Sequence, residues 1–182
     1  MERLPSRKRI RLAPESYEGP AAFSVTISTA NRSPLLKQPD TVDMCTSALA
    51  ETASRFRIDV LAYCFMPDHL HLLLEAKEDT NLIRFMKAFK QVTSYRHLKT
   101  KTQALWQKGY YDHVLRREED VNQVGEYILY NPVRAGLVDS PDRYPFSGGT
   151  LAGDLKVAPT SGAKPDGRPE GRPYTRPDCA GG

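Results

Sequence analysis

His69 and His71 are separated by one residue in the run Met66-Pro-Asp-His-Leu-His-Leu-Leu-Leu-Glu75. Strand side chains alternate between faces, so His69, His71, Leu73 and Glu75 share one face and Leu70, Leu72 and Leu74 the other. Two imidazoles at this spacing reach a common divalent cation. The plain alternative is a pair of ordinary half-exposed histidines. The leucine ladder fixes the strand's orientation and keeps the His pair together on one surface, so both readings stand. A second group lies in Tyr127-Ile-Leu-Tyr-Asn131-Pro132. On a helix Tyr127 and Asn131 share a face, one turn apart, beside the packing positions Val124 and Ile128. A tyrosine hydroxyl can serve as a nucleophile, and an amide oxygen one turn later can complete a cation site. Tyr130 lacks that relation to Asn131, which favours Tyr127. The alternative is that Tyr127 packs and Asn131 ends the helix.

Charge placement is the third signal. The 182 residues carry 26 Lys and Arg against 22 Asp and Glu, a net +4 that names no partner. Between Thr80 and Arg117, however, nine basic residues (Arg84, Lys87, Lys90, Arg96, Lys99, Lys101, Lys108, Arg116 and Arg117) face one acid, Asp112. This local +8 lies in sequence between the histidine strand and the tyrosine helix. Tyr95, Trp106, Tyr110 and Tyr111 are interleaved with it. Cations that follow phosphates and aromatics that stack on unpaired bases make a single-stranded nucleic-acid surface. A solvated helix face above core aromatics is the alternative. His113, in the same stretch, could line the site, touch DNA or only support the fold. A cluster from Arg3 to Arg11, including Arg7, Lys8 and Arg9, reads as an arm for phosphates or as a solubilising end.

The elements that must position these residues follow from periodicity. The length suits one domain. Phe23 to Thr29 alternates as a strand, and Pro39-Asp40 opens a helix with Val42, Cys45, Leu49, Thr52 and Phe56 on one stripe. Ile58–Phe65 and His69–Ala76 are strands joined by a link short enough for a hairpin. Asp79-Thr80 is expected to cap a helix carrying Leu82, Phe85, Met86, Phe89 and Val92. Tyr111–Arg116 is a fourth strand. Glu118, Glu119 and Asp120 suit the start of a last helix, which Pro132 stops. This order predicts an α+β fold: a ferredoxin-like split β-α-β-β-α-β antiparallel sheet with an added C-terminal helix that carries the tyrosine.

The expected boundaries are a basic arm over 1–19, a catalytic domain over 20–148 and a Gly/Pro-rich, disordered tail over 149–182. From Gly153 onward there are six Gly and five Pro but almost no large apolar residues, too few to offset the ordering entropy. Cys45, Cys64 and Cys179 suggest neither a disulfide framework nor a zinc motif. No apolar run is long enough to span a bilayer, and the charged N-terminus lacks the apolar segment of a secretory signal. A cytoplasmic protein is expected.

With these motifs in place, the chain resembles the single-tyrosine HUH transposases, and within them the REP-associated tyrosine transposases. The resemblance rests on Met66-Pro-Asp-His-Leu-His-Leu-Leu-Leu, Leu105-Trp-Gln-Lys-Gly-Tyr-Tyr-Asp-His-Val-Leu-Arg116, Glu126-Tyr-Ile-Leu-Tyr-Asn-Pro-Val-Arg-Ala-Gly-Leu137 and Tyr144-Pro-Phe-Ser147. It covers Phe23 to Ser147 in order. It implies a metal-dependent enzyme that cuts and rejoins single-stranded DNA near REP-type hairpins through a 5′-phosphotyrosine. By position, Tyr127 would be the nucleophile, and His69, His71 and Asn131 the ligands of Mg²⁺ or Mn²⁺. Imidazoles suit Mn²⁺ better than Mg²⁺ and also admit zinc. DNA contacts would fall to Arg84, Lys87, Lys90, Arg96, Lys99, Lys108, Arg116, Arg7, Lys8 and Arg9. The wider superfamily often carries Gln where Asn131 stands. A common Ser-Ser reads Ser147-Gly148 here. Monomer and homodimer are both compatible. The competing readings are a hairpin-binding module without cleavage and a metal-dependent hydrolase with no covalent step.

Overall fold

The computed structural model describes residue 17, residues 20–115 and residues 120–155. The arm with Arg7, Lys8 and Arg9, the residue Arg116 and the chain from 156 lie outside the described residues. Ten elements matter here: β1 (Ala21–Ser28), α1 (Pro39–Phe56), β2 (Ile58–Met66), β3 (His69–Ala76), α2 (Leu82–Leu98), β4 (Tyr111–Val114), α3 (Val121–Leu129), α4 (Asn131–Arg134), β5 (Ser147–Gly148) and α5 (Thr150–Leu155). The strands form one antiparallel sheet in the order β4-β1-β3-β2-β5. Its first four strands follow the split β-α-β-β-α-β topology, and β5 extends the edge beside β2.

β3 lies at the centre, paired with β1 on one side and β2 on the other. Its Leu70, Leu72 and Leu74 are fully buried with Phe23, Val25 and Ile27 of β1. α1 covers them with Val42, Cys45 and Leu49, and α2 with Phe85, Met86 and Phe89. Each such side chain contributes roughly 2 kcal/mol when removed from water. Asn81 caps α2, not the expected Asp79-Thr80: its side chain accepts from the Arg84 N–H, while the Thr80 hydroxyl donates to the Lys77 carbonyl. No described helix is long and apolar enough to cross a membrane.

The opposite face of the sheet carries a second, smaller core. Leu73 of β3 meets Ala62, Cys64 and Met66 of β2, and Ile128 and Leu129 of α3. A bulge makes this possible. Val60 pairs with Leu74 and Ala62 with Leu73, so Leu61 is an extra residue in β2. After it, Tyr63 and Phe65 turn to the main core while Cys64 and Met66 join the histidine face. Gly125 lets α3 approach, since a Cβ there would lie 2.6 Å from Leu151 Cδ1 and 3.5 Å from Leu73 Cδ2.

Two expectations about the C-terminal part are corrected. Pro132 does not simply stop the helix. Lacking an N–H, it occupies the first turn of α4, where a missing donor costs nothing. The packed chain also runs past the expected boundary at 148, because α5 places Leu151 against Gly125. The reading Ser147-Gly148 has a steric basis, since a Cβ at 148 would sit 2.7 Å from Tyr63 Oη.

Gly149 has φ +121°, and a Cβ there would lie 2.4 Å from the carbonyl oxygen of the bulged Leu61. Gly149→Ala is therefore expected to cost about 2–4 kcal/mol, read as a lower denaturation midpoint. An unchanged midpoint would contradict the seating of β5 on the bulge.

Candidate metal and nucleophile site

β2 and β3 are joined by the two-residue turn Pro67-Asp68. The turn is pinned from outside: Leu36 N donates to Pro67 O at 3.0 Å, and Thr29 N to Asp68 O at 2.9 Å. His69 and His71 follow at once on the half-buried face of β3. Their Nε2 atoms lie 3.0 Å apart. Two nitrogens about 2.1 Å from one cation, at a right angle, would be separated by about 3.0 Å. The pair therefore has the spacing of adjacent ligands, which is also that of an N–H···N hydrogen bond between the two rings.

Each ring is held by its other nitrogen. His69 Nδ1 lies 2.6 Å from Asp68 Oδ1, and Arg32 donates to the second oxygen at 3.3 Å. Burial works against the Asp68 carboxylate. The His69 hydrogen bond and the charges of His69 and Arg32 outweigh it and hold its pKa below the usual range. His71 Nδ1 lies 3.0 Å from Thr26 Oγ1. A hydroxyl can donate to Nδ1 or accept from it, so Thr26 suits the tautomer that presents an Nε2 lone pair. Burial, then the charges of His69 and Arg134, push the His71 pKa down to about 3, against the pull of Asp68. The ring is neutral at physiological pH, as a ligand must be.

Cys64 faces His71 across the strand pair. Burial pushes its thiol up to about 12 although Arg134 opposes this, so it presents no thiolate. Among the described residues no three His, Cys, Asp or Glu side chains gather as a cation site. Asn131, the remaining residue that the resemblance names, begins α4. Its Nδ2 donates to Ile128 O at 3.1 Å. That carbonyl would ordinarily receive the N–H four residues on, which Pro132 lacks. The bond fixes the direction of the amide. Its Oδ1 accepts from Arg134 Nη2 at 2.8 Å. The same Nη2 donates to Tyr127 O at 2.9 Å, and the guanidinium carbon stacks 3.6 Å from the Tyr127 ring centroid. Tyr127 is 54% exposed. Sequence reasoning missed Thr26, Asp68 and Arg134. The signals were present: Asp68 precedes the first histidine, Thr26 alternates with core residues, and Arg134 lies one helical turn beyond Asn131.

Much of the basic segment lies on α2. α2 packs on the Leu70-Leu72-Leu74 side of the sheet, the layer opposite the histidines. Two of its cations have partners within the chain. Lys90 donates to the carbonyls of Gln107 and Gly109, and Arg96 pairs with Glu51 at 2.6 Å. Arg84, Lys87, Lys99 and Lys108 are exposed, with Lys99 4.6 Å over the exposed Tyr95 ring. Trp106 is buried and donates to Thr93 Oγ1 at 2.8 Å, and Tyr110 is half-buried. Trp106 is therefore not open to a base. Tyr111 differs: it is 61% exposed and pairs with Thr26, which pairs with His71. Cross-strand partners share a face, so Tyr111 and His113 of the adjacent row lie on the histidine side.

The family model for IS200-like transposases matches residues 21–131. A Haemophilus influenzae protein described as a candidate REP-associated tyrosine transposase is 26% identical over 137 residues, covering 69% of this chain and 76% of that one. The REP-associated tyrosine transposase of Escherichia coli is 30% identical over 91 residues, 49% of this chain and 53% of that protein. A solved structure of a REP-associated tyrosine transposase bound to a REP hairpin superposes with a TM-score of 0.66 at 22% identity. The superposition covers 85% of this chain and 87% of that one, and so shares the fold.

If the groups behind the imidazoles prepare the site, Asp68→Ala and Thr26→Val should each weaken Mn²⁺ binding about 10- to 100-fold. Calorimetric titration of the full chain measures this. Wild-type affinity in both variants would show that the rings need no such support.

Proposed function

Since this chain belongs to the IS200-like transposase family, we propose that it cuts and rejoins single-stranded DNA through a 5′-phosphotyrosine on Tyr127. The observation that carries the reading is the His69–His71 pair, with Nε2 atoms converging at 3.0 Å on the sheet face that seats the tyrosine helix. His69, His71 and Asn131 would hold a divalent cation, Mg²⁺ or Mn²⁺, which supplies charge stabilisation to the scissile phosphate. The Tyr127 hydroxyl oxygen attacks phosphorus and the bond to the 3′ oxygen breaks. The tyrosine proton ends on the departing 3′ hydroxyl. Because the new ester conserves the phosphodiester's energy, the reverse attack by a 3′ hydroxyl rejoins a strand without ATP. Burial of Ile128 and Leu129 fixes the helix, while Tyr127 remains exposed for a strand to reach.

The DNA partner is read from two surfaces. On the histidine face, Ser24, Thr26 and His113 are half-buried and Tyr111 is exposed, an open path beside the site with an aromatic on which a base can stack. Across the sheet, the exposed Arg84, Lys87 and Lys99 offer phosphate contacts for a second part of the molecule, such as a hairpin stem. The similar protein bound to a REP hairpin supports hairpin-forming DNA as the substrate class.

Incubation with a hairpin-bearing single strand and Mn²⁺ should give a covalent protein–DNA adduct. Tyr127→Phe should remove it, and Tyr130→Phe should keep it. An adduct that survives Tyr127→Phe sinks the assignment. DNA retention with no adduct under either cation would favour the binding module, and cleavage without an adduct would favour the hydrolase. Tyr111→Ala should lower single-strand affinity by about tenfold, the scale of one stacked base, in a fluorescence anisotropy titration. Unchanged affinity would remove that path.

A further inference from the structure

Arg134 is exposed, and among the described residues no carboxylate pairs with it. Its charge is nonetheless brought back against the site. One guanidinium nitrogen bridges Tyr127 O and Asn131 Oδ1, and the plane stacks on the Tyr127 ring. We propose that Arg134 is a positioning residue that competes with a cation for Asn131 Oδ1: it holds the amide and the Tyr127 ring, and a cation taking that oxygen would release the guanidinium toward the phosphate. The inference rests on the cleavage reading above and deepens it.

Three physical points support the exchange. Asn131 cannot turn its amide over to serve both groups without breaking the bond from Nδ2 to the Ile128 carbonyl, whose usual helical donor Pro132 lacks. A guanidinium and a divalent cation on one carbonyl oxygen repel each other, so occupation of either weakens the other. A guanidinium released from the amide remains stacked beside the nucleophile. There its planar fork matches two oxygens of a phosphate, which a lysine ammonium does not. The arrangement also accounts for the otherwise uncompensated charge, whose natural counter-ion is the DNA backbone.

The test separates cation affinity from the covalent step. Mn²⁺ is titrated into the full chain without DNA, for wild type, Arg134→Gln and Arg134→Lys, with thermal midpoints confirming that each is folded. Arg134→Gln should bind Mn²⁺ about fivefold or more tightly than wild type. Arg134→Lys, which keeps the charge, should stay closer to wild type. Adduct formation should move the opposite way, falling at least about tenfold in Arg134→Gln and only partly restored by lysine. A merely structural arginine would not tighten the cation when removed. Equal or weaker Mn²⁺ binding by Arg134→Gln overturns the proposal while leaving the cleavage reading intact. Wild-type protein that takes up no Mn²⁺, or takes it up equally after His69→Ala, overturns the cation site and this exchange together.

Discussion

Burial of Leu70, Leu72 and Leu74 beneath α1 and α2 turns His69, His71 and Leu73 to the opposite face of the same strand. β3 cannot slip by one residue without exposing three leucines, each costing roughly 2 kcal/mol, and burying two imidazoles in an apolar core. Position at the centre of the sheet adds a second restraint, since β1 and β2 fix the register from both sides. The histidines are thus placed by packing that none of their own interactions provides. Asp68 and Thr26 only set which nitrogen faces outward.

The same strand also positions the nucleophile. Leu73, alone among the apolar residues on its face of β3, seats Ile128 and Leu129 of α3, and the bulge at Leu61 brings Cys64 and Met66 round to complete that contact. A helix packed this way leaves Tyr127 on its outer side and delivers Asn131 at the start of the next turn. Pro132 then has two effects. It begins α4, and by withholding an N–H it leaves the Ile128 carbonyl to orient the Asn131 amide. The bond to that carbonyl and the one from Arg134 together set which way the amide points.

Much of this was legible because it depends on local alternation. The bounds of β3, the opposed leucine and histidine faces and the helix over Pro39–Phe56 all follow from periods of two or about four residues, whereas Tyr127 and Asn131, expected on one helix, fall in α3 and α4. The unread parts depend on contacts distant in sequence. A bulge leaves no mark in the run Ile58 to Met66 beyond a broken alternation that a strict period would place on the wrong faces. α5 gains its packing from Gly125, some 25 residues away. The charge-rich stretch is a cluster along the sequence, but charge counted along a chain does not say which layer of the fold receives it. Trp106 and Tyr110 likewise looked like stacking aromatics until the fold buried or half-buried them.

The central claim is that the two imidazoles converge on one cation. Electron spin-echo modulation on the Mn²⁺-loaded chain tests it directly, because directly bound imidazole nitrogens imprint their nuclear frequencies on the manganese signal. Coupling to two imidazoles is expected for the wild type, reduced to one in His69→Ala or His71→Ala. A wild-type spectrum with water couplings and no imidazole nitrogen would contradict the account.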